Sequence, residues 1–234
     1  MTSAQTDHTT PVADDRFVEL EVWTDVACPW CYIGATRLTA ALDAFDRGDR
    51  VRVTWRAYEL APDREARAGR REVDALVESK GMSAEQVQHM FGQVSQVAAG
   101  DGLHLDFDRT IAANTFDAHR LVHLAGAGTV QGGRVLRALY RAHFTDGVAV
   151  DDVDALVAIA EAQGLDAEAV RTGLTDPDSA AAVSVREDEL LAARFGITGV
   201  PFFIADRKYA VSGAQPVDVI TELLRTAFDG TEDD

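Results

Sequence analysis

The sequence predicts an α/β fold in which a β-α-β unit opens the chain, a long helical block interrupts it, and a β-β-α unit closes it. Three observations carry that prediction. Residues Phe17 to Trp23 alternate apolar and acidic side chains with period two and lead into a helical-period segment. From about Asp63 to Arg194 the apolar positions keep helical spacing between glycine breaks. After Gly196 short apolar runs bounded by turn residues return.

The first element, Phe17-Val18-Glu19-Leu20-Glu21-Val22-Trp23, has the pattern of a strand that buries one face. Pro29 sits where a first helical turn begins, and Ile33, Leu38, Ala41, Leu42 and Phe45 follow at helical spacing. Arg50 to Tyr58 alternates again, which completes the β-α-β unit.

The helical block is broken at Gly81, at Gly100-Asp101-Gly102, and at glycines 126, 128, 132, 133, 147, 164 and 173. Ser83 with Gln86 and Asp151 with Asp154 read as helix starts, Asn114 as a helix cap, and Asn114–Leu124 and Val153–Ala162 carry apolar stripes. Leu103 to Phe107 reads as a short extended piece. Pro201–Ala205 and Tyr209–Val211 form a hairpin through Asp206-Arg207-Lys208, and a last amphipathic helix runs from Pro216, in its first turn, to Phe228. Trp23, Trp55 and Phe107 are expected in the core.

At 234 residues the chain can bury one core, or a small domain carrying a second one as an insertion. The pattern divides it into a β-α-β segment over residues 16–62, a helical block over 63–194, a β-β-α segment over 195–230, and a polar, disordered tail over 1–15. The tail lacks the basic and apolar segments of a secretory leader, and no window approaches the roughly 18 apolar residues of a membrane span, so a soluble cytoplasmic protein is expected. Thirty-nine acidic against 22 basic residues give a formal charge of −17, which repels phosphate backbones and anionic lipid. Nucleic-acid and membrane partners are therefore not expected.

The chain has two cysteines, Cys28 and Cys31, and a bridge between them would close too short a loop to restrain the unfolded chain. Their pairing is chemistry rather than scaffolding. A Cys-Pro-Trp-Cys turn between strand and helix puts the first sulfur beside the unpaired N–H groups at the positive end of the helix, which favours a thiolate. Pro29 fixes the turn at no hydrogen-bonding cost. Cys28 is then the exposed nucleophile with a lowered pKa, and Cys31 the buried resolving thiol. Trp30 is uncharged and implies a couple less oxidising than the strongest oxidases. Two other readings compete: an inert buried pair, and a zinc site in which His119 and His123, spaced i, i+4, join the two sulfurs, although the gap from Cys31 to His119 is far longer than in a zinc finger.

The residues Asp25-Val26-Ala27-Cys28-Pro29-Trp30-Cys31-Tyr32-Ile33-Gly34, the segment Asn114 to Leu121, Gly199-Val200-Pro201-Phe202-Phe203 and Val211-Ser212-Gly213-Ala214-Gln215-Pro216 together resemble the DsbA-like family of the thioredoxin superfamily, most closely its cytoplasmic FrnE-like branch. The resemblance runs from Phe17 to Phe228 and implies a thioredoxin-like fold with the helical block inserted over the active site. It implies a cis Pro201 facing the sulfurs, with the Val200 backbone offered to a substrate strand. It also implies disulfide exchange with protein or small-molecule thiols, with no metal and no resident cofactor. Glutathione-dependent isomerases and kappa-class glutathione transferases of the superfamily typically carry serine at the position of Cys28, so disulfide chemistry is favoured and glutathione stays open as a co-substrate. A glutathione-dependent isomerase or transferase and a redox-switched, holdase-like binding protein are the alternatives. Monomer and homodimer are both compatible with the sequence.

Two further residues lie within these motifs. Asp25 is either a proton acceptor for Cys31 or a solvated acid at the end of a strand. His119 either faces the sulfurs or is a polar residue of a helix. The clusters Asp151-Asp152-Asp154 and Glu187-Asp188-Glu189 read as solvated faces.

Overall fold

The computed structural model describes residues 16–66 and 69–230; the expected tail, residues 1–15, lies outside them. Strand β1 (Val18–Thr24) is followed by helix α1 (Pro29–Ala44) and by strand β2 (Val51–Ala57), which lies parallel to β1 with Val18 opposite Val51 and Thr24 opposite Ala57. Among the described residues, seven α-helices stand between β2 and the next strand: α2 (Glu72–Lys80), α3 (Ala84–Gly100), α4 (Phe116–Leu124), α5 (Val130–Phe144), α6 (Val153–Ala162), α7 (Ala167–Thr175) and α8 (Ala180–Arg194). Strands β3 (Phe202–Ala205) and β4 (Tyr209–Ser212) form an antiparallel hairpin, and α9 (Val217–Asp229) ends the described chain. The sheet order is β2-β1-β3-β4, with β3 antiparallel to β1.

Strand β1 is central, and this corrects the one-faced strand expected from its alternation. Val18, Leu20 and Val22 enter the main core with α1 and α9, while Trp23 on the opposite face packs with Ala192, Ile197 and Ile204 beneath α8. Of the two alternating acids only Glu19 reaches solvent; Glu21 is buried and accepts hydrogen bonds from Arg56 and Arg207. The edge of β2 is covered from the helical block, where Trp55 donates its N–H to the Ala127 carbonyl and Ala57 donates to the Asp188 carboxylate.

Helix ends follow local chemistry in most places. Ser83 and Gln86 form a complete capping box on α3, and α2 stops at Gly81, whose φ of 64° is left-handed. Three expectations need correction. Residues 103–107 form no strand, because Leu105 and Phe107 turn into the core, where Phe107 stacks on Phe91 at 4.0 Å. The cap of α6 is Asp152, whose carboxylate accepts from the N–H groups of Asp154 and Ala155, while Asp151 is buried and accepts from the Asn114 N–H. Asn114 stands one residue before the cap position of α4, held by Thr115, and its Oδ1 accepts from the Phe116 N–H.

Glycines 132, 133 and 173 do not break helices. They lie inside α5 and α7, where small size permits close packing: a Cβ on Gly173 would come within 2.7 Å of Leu124. In the hairpin, Asp206 and Arg207 both have positive φ and Lys208 donates its N–H to the Ala205 carbonyl. Pro216 caps α9 rather than lying within it. Trp23, Trp55 and Phe107 are buried. No helix among the described residues is long and apolar enough to cross a membrane.

Candidate active site

The end of β1 delivers the two sulfurs to the head of α1. Cys28 is the N-cap residue, in extended conformation, and Pro29 occupies the first helical turn. No side chain caps this helix by a hydrogen bond and its first turn contains no acid, so the positive end of the dipole faces the Cys28 sulfur without competition from either. The Cys31 N–H donates to the Cys28 carbonyl at 3.0 Å, which closes the turn, and both thiols are free.

The exposed nucleophile expected from the sequence is not what the fold presents. Cys28 is only 5% exposed and Cys31 1%, whereas Trp30 between them is 41% exposed. The cover over Cys28 is the loop before β3. Its thiol donates to the Val200 carbonyl at 3.7 Å, and the Val200–Pro201 peptide is cis. Gly34 lets this loop seat on α1, because a Cβ there would stand 2.9 Å from Pro201 Cγ. Burial, followed by the neighbouring Cys28, pushes the Cys31 thiol well above its ordinary range, while the Thr24 hydroxyl and the Asp25 N–H, 3.5 Å from the sulfur, act in the opposite sense.

Asp25 is buried, not solvated at a strand end. Its carboxylate accepts N–H bonds from Ala27 at 3.1 Å and from Leu60 at 2.7 Å. Burial raises its pKa, but His119, Leu60 and Ala27 together outweigh burial and hold it below the usual carboxylate value. His119, buried in α4, places Nε2 3.5 Å from Asp25 Oδ1; at that length the contact is electrostatic and Nε2 has no formed hydrogen bond. His123 points elsewhere, with Nε2 2.8 Å from the Asp188 carboxylate, so the two histidines do not converge on the sulfurs. Among the described residues no group of three or more His, Cys, Asp or Glu side chains is arranged to hold a metal ion.

Several buried polar groups of this region were not singled out from the sequence. Glu59 lies beside the Leu60 amide that binds Asp25; burial and then the neighbouring Glu189 raise its pKa to about 7, against the lowering influence of His119 and Arg186. Thr24 and Tyr140 share a short hydroxyl contact behind Cys31. Asp188, read as part of a solvated face, is 1% exposed: it accepts from Arg56, the Ala57 N–H and His123, and its carbonyl accepts from the Trp23 indole. Thr24 had a signal, since it stands four residues before Cys28, directly ahead of the Asp25–Gly34 motif. Tyr140 and Asp188 had none, because an apolar helix stripe and an acidic run look alike whether or not a distant partner waits for them.

A family model described as a DSBA-like thioredoxin domain matches residues 19–225. The chain belongs to the DsbA-like thioredoxin family. Among solved structures, a probable DsbA oxidoreductase from Streptomyces coelicolor is 43% identical, with 91% of this chain and 90% of that one covered and a TM-score of 0.83. More distant structures share the DsbA-like fold. A 2-hydroxychromene-2-carboxylate isomerase is 18% identical with a TM-score of 0.69, covering 92% of this chain and 98% of its own. The cytosolic disulfide reductase DsbM from Pseudomonas aeruginosa, solved with GSH, is 21% identical with a TM-score of 0.63, covering 90% of this chain and 99% of its own. No curated protein matches the chain. The family is one of thiol-disulfide oxidoreductases, and its DsbA-like fold also serves an isomerase.

Proposed function

We propose that this protein exchanges disulfides through the Cys28-Pro29-Trp30-Cys31 turn, with Cys28 as nucleophile and Cys31 as resolving thiol. The observation that carries the reading is the Cys28 sulfur, set at an uncapped helix head and hydrogen-bonded to the backbone of the Val200–Pro201 loop, with Cys31 buried one turn behind. In the reducing direction, the Cys28 thiolate attacks one sulfur of a substrate disulfide, forming the mixed disulfide and expelling the first substrate thiolate. Cys31 then loses its proton and attacks Cys28 Sγ. The Cys28–Cys31 bond forms, the bond to substrate breaks, and the two protons of the enzyme dithiol end on the two released thiols.

The Val200 carbonyl, which now accepts the thiol, is the backbone group a substrate strand would meet, and exposed Trp30 offers it an apolar platform. Asp25, whose backbone N–H faces the Cys31 sulfur and whose carboxylate lies 3.5 Å from His119 Nε2, is the candidate acceptor for the Cys31 proton. Substrates are protein or small-molecule disulfides. Glutathione is a candidate co-substrate, supported by the related fold solved with GSH. In a reducing cytoplasm the net direction is reduction.

The test is a pair of single variants. Cys31→Ser incubated with a disulfide substrate should accumulate a stable mixed disulfide at Cys28, and Cys28→Ser should stay folded and give neither adduct nor turnover. Full activity in folded Cys28→Ser would remove the reading.

A further inference from the structure

The thiol that must ionise for release of substrate, Cys31, lies 1% exposed, with the Cys28 sulfur on one side of it. The Asp25 amide approaches from another side at 3.5 Å. The Thr24 hydroxyl also acts on the Cys31 thiol, in the sense that favours its ionised form, and is itself buried at the end of β1 and paired with the Tyr140 hydroxyl. Tyr140 belongs to α5 of the helical block and is held in place from its ring: it stacks on Tyr32 with centroids 5.1 Å apart and planes 13° apart, and Tyr32 follows Cys31 directly in the chain. A phenol with no exposed surface has been carried across the fold to a contact 116 residues away in sequence.

We infer that Tyr140 and Thr24 form a hydroxyl relay that positions and stabilises the Cys31 thiolate during resolution of the mixed disulfide. The inference rests on the disulfide-exchange reading and adds the residues that govern its second step. Each hydroxyl has one proton to give. If Thr24 donates to the thiolate of Cys31, its oxygen can only accept from Tyr140, so a single orientation of both groups satisfies the chain. Burial, and after it the neighbouring Cys31, pushes the Tyr140 phenol well above its ordinary range, so it stays protonated and acts as a donor rather than a base. The proton of Cys31 therefore leaves by another route, to Asp25 and then to solvent or the departing thiolate, while the relay holds the charge left behind. The Thr24 hydroxyl, kept in its donating orientation by Tyr140, and the Asp25 N–H favour the ionised form of the buried sulfur, which a thiol against an apolar wall would resist.

The experiment follows reduced protein mixed with dithiobis(nitrobenzoate), a chromogenic aromatic disulfide, in a stopped-flow instrument. The first equivalent of coloured thiol reports attack by Cys28, and the second reports resolution by Cys31. Tyr140→Phe, which keeps the ring and its stacking, and Thr24→Val should slow the second phase by about tenfold to a hundredfold while leaving the first phase within about twofold. The pH midpoint of the second phase should move upward in both. Thr24→Ser, which retains the hydroxyl, should restore the wild-type second phase. An unchanged second phase in folded Tyr140→Phe, or an equal slowing of both phases, would overturn the relay. Failure of the wild-type protein to release a first equivalent would instead overturn the disulfide-exchange reading, and the relay with it.

Discussion

The sheet unit and the helical block make different contributions to one site. The sheet unit brings the sulfurs, the helix head that receives them and the cis-proline loop that covers them, by short-range geometry: a strand end, a proline at the first turn and a glycine that lets Pro201 approach. The helical block brings buried polar groups, His119 on α4, Tyr140 on α5 and Asp188 on α8, whose side chains reach partners in the sheet unit 94, 116 and 131 or 132 residues away in sequence. A single buried cluster runs through both regions, from Val18 and Leu38 to Leu139 and Leu156, so neither is a passive cover for the other. The lesson is that local geometry fixes where the sulfurs sit, while long-range polar contacts fix the environment in which they ionise.

If the regions are as interdependent as these contacts indicate, the largest stability loss should come from Asp188→Ala. That change leaves the buried Ala57 N–H without its acceptor and takes one carboxylate partner from Arg56, which keeps Glu21, and from His123, and should cost about 3–5 kcal/mol in urea unfolding. A loss under 1 kcal/mol would mean that the block is only loosely tied to the sheet.

A second test uses His143 at the end of α5, which is fully buried and whose ring nitrogens make no formed hydrogen bond. Burial holds its pKa down at about 4 against the ordinary 6.5, so the unfolded chain binds the extra proton between those values. Stability should therefore be complete above pH 6.5 and fall as the pH drops through that window, by up to about 3 kcal/mol. In His143→Phe this part of the acid slope should vanish from a series of unfolding curves taken across the window.

Gly34→Ala probes the sheet side. Overpacking against Pro201 should cost about 1–3 kcal/mol and slow exchange, because it moves the loop that accepts the Cys28 thiol. Unaltered exchange kinetics would show that the seat of the loop is less exacting than a 2.9 Å approach implies.

The smallest effect is expected at Glu59. Its folded pKa of about 7 lies above the ordinary 4.5, so the carboxyl contributes stability that is present at low pH and is lost as the pH rises from 4.5 through 7. The Arg186 side of the pair is half open to water and screens it, so Glu59→Gln should stabilise the protein at pH 8 by only on the order of 1 kcal/mol. The gain should disappear at pH 4 in matched thermal melts.

The sequence by itself determined the element order, the Cys-Pro-Trp-Cys turn at a helix head, the hairpin after Pro201 and the membership implied by four motifs in register. These are properties of residues within a few positions of one another, where alternation, proline and capping chemistry act. Only the tertiary structure decided that β1 is covered on both faces, that Cys28 lies under the Val200 carbonyl, that Asp25 is buried, and that Asp151 and Asp188 are interior acids rather than solvated ones. The physical reason is common to all four. The burial of a polar or reactive group depends on which distant backbone or side chain arrives to pair with it, and a local pattern contains no record of that arrival.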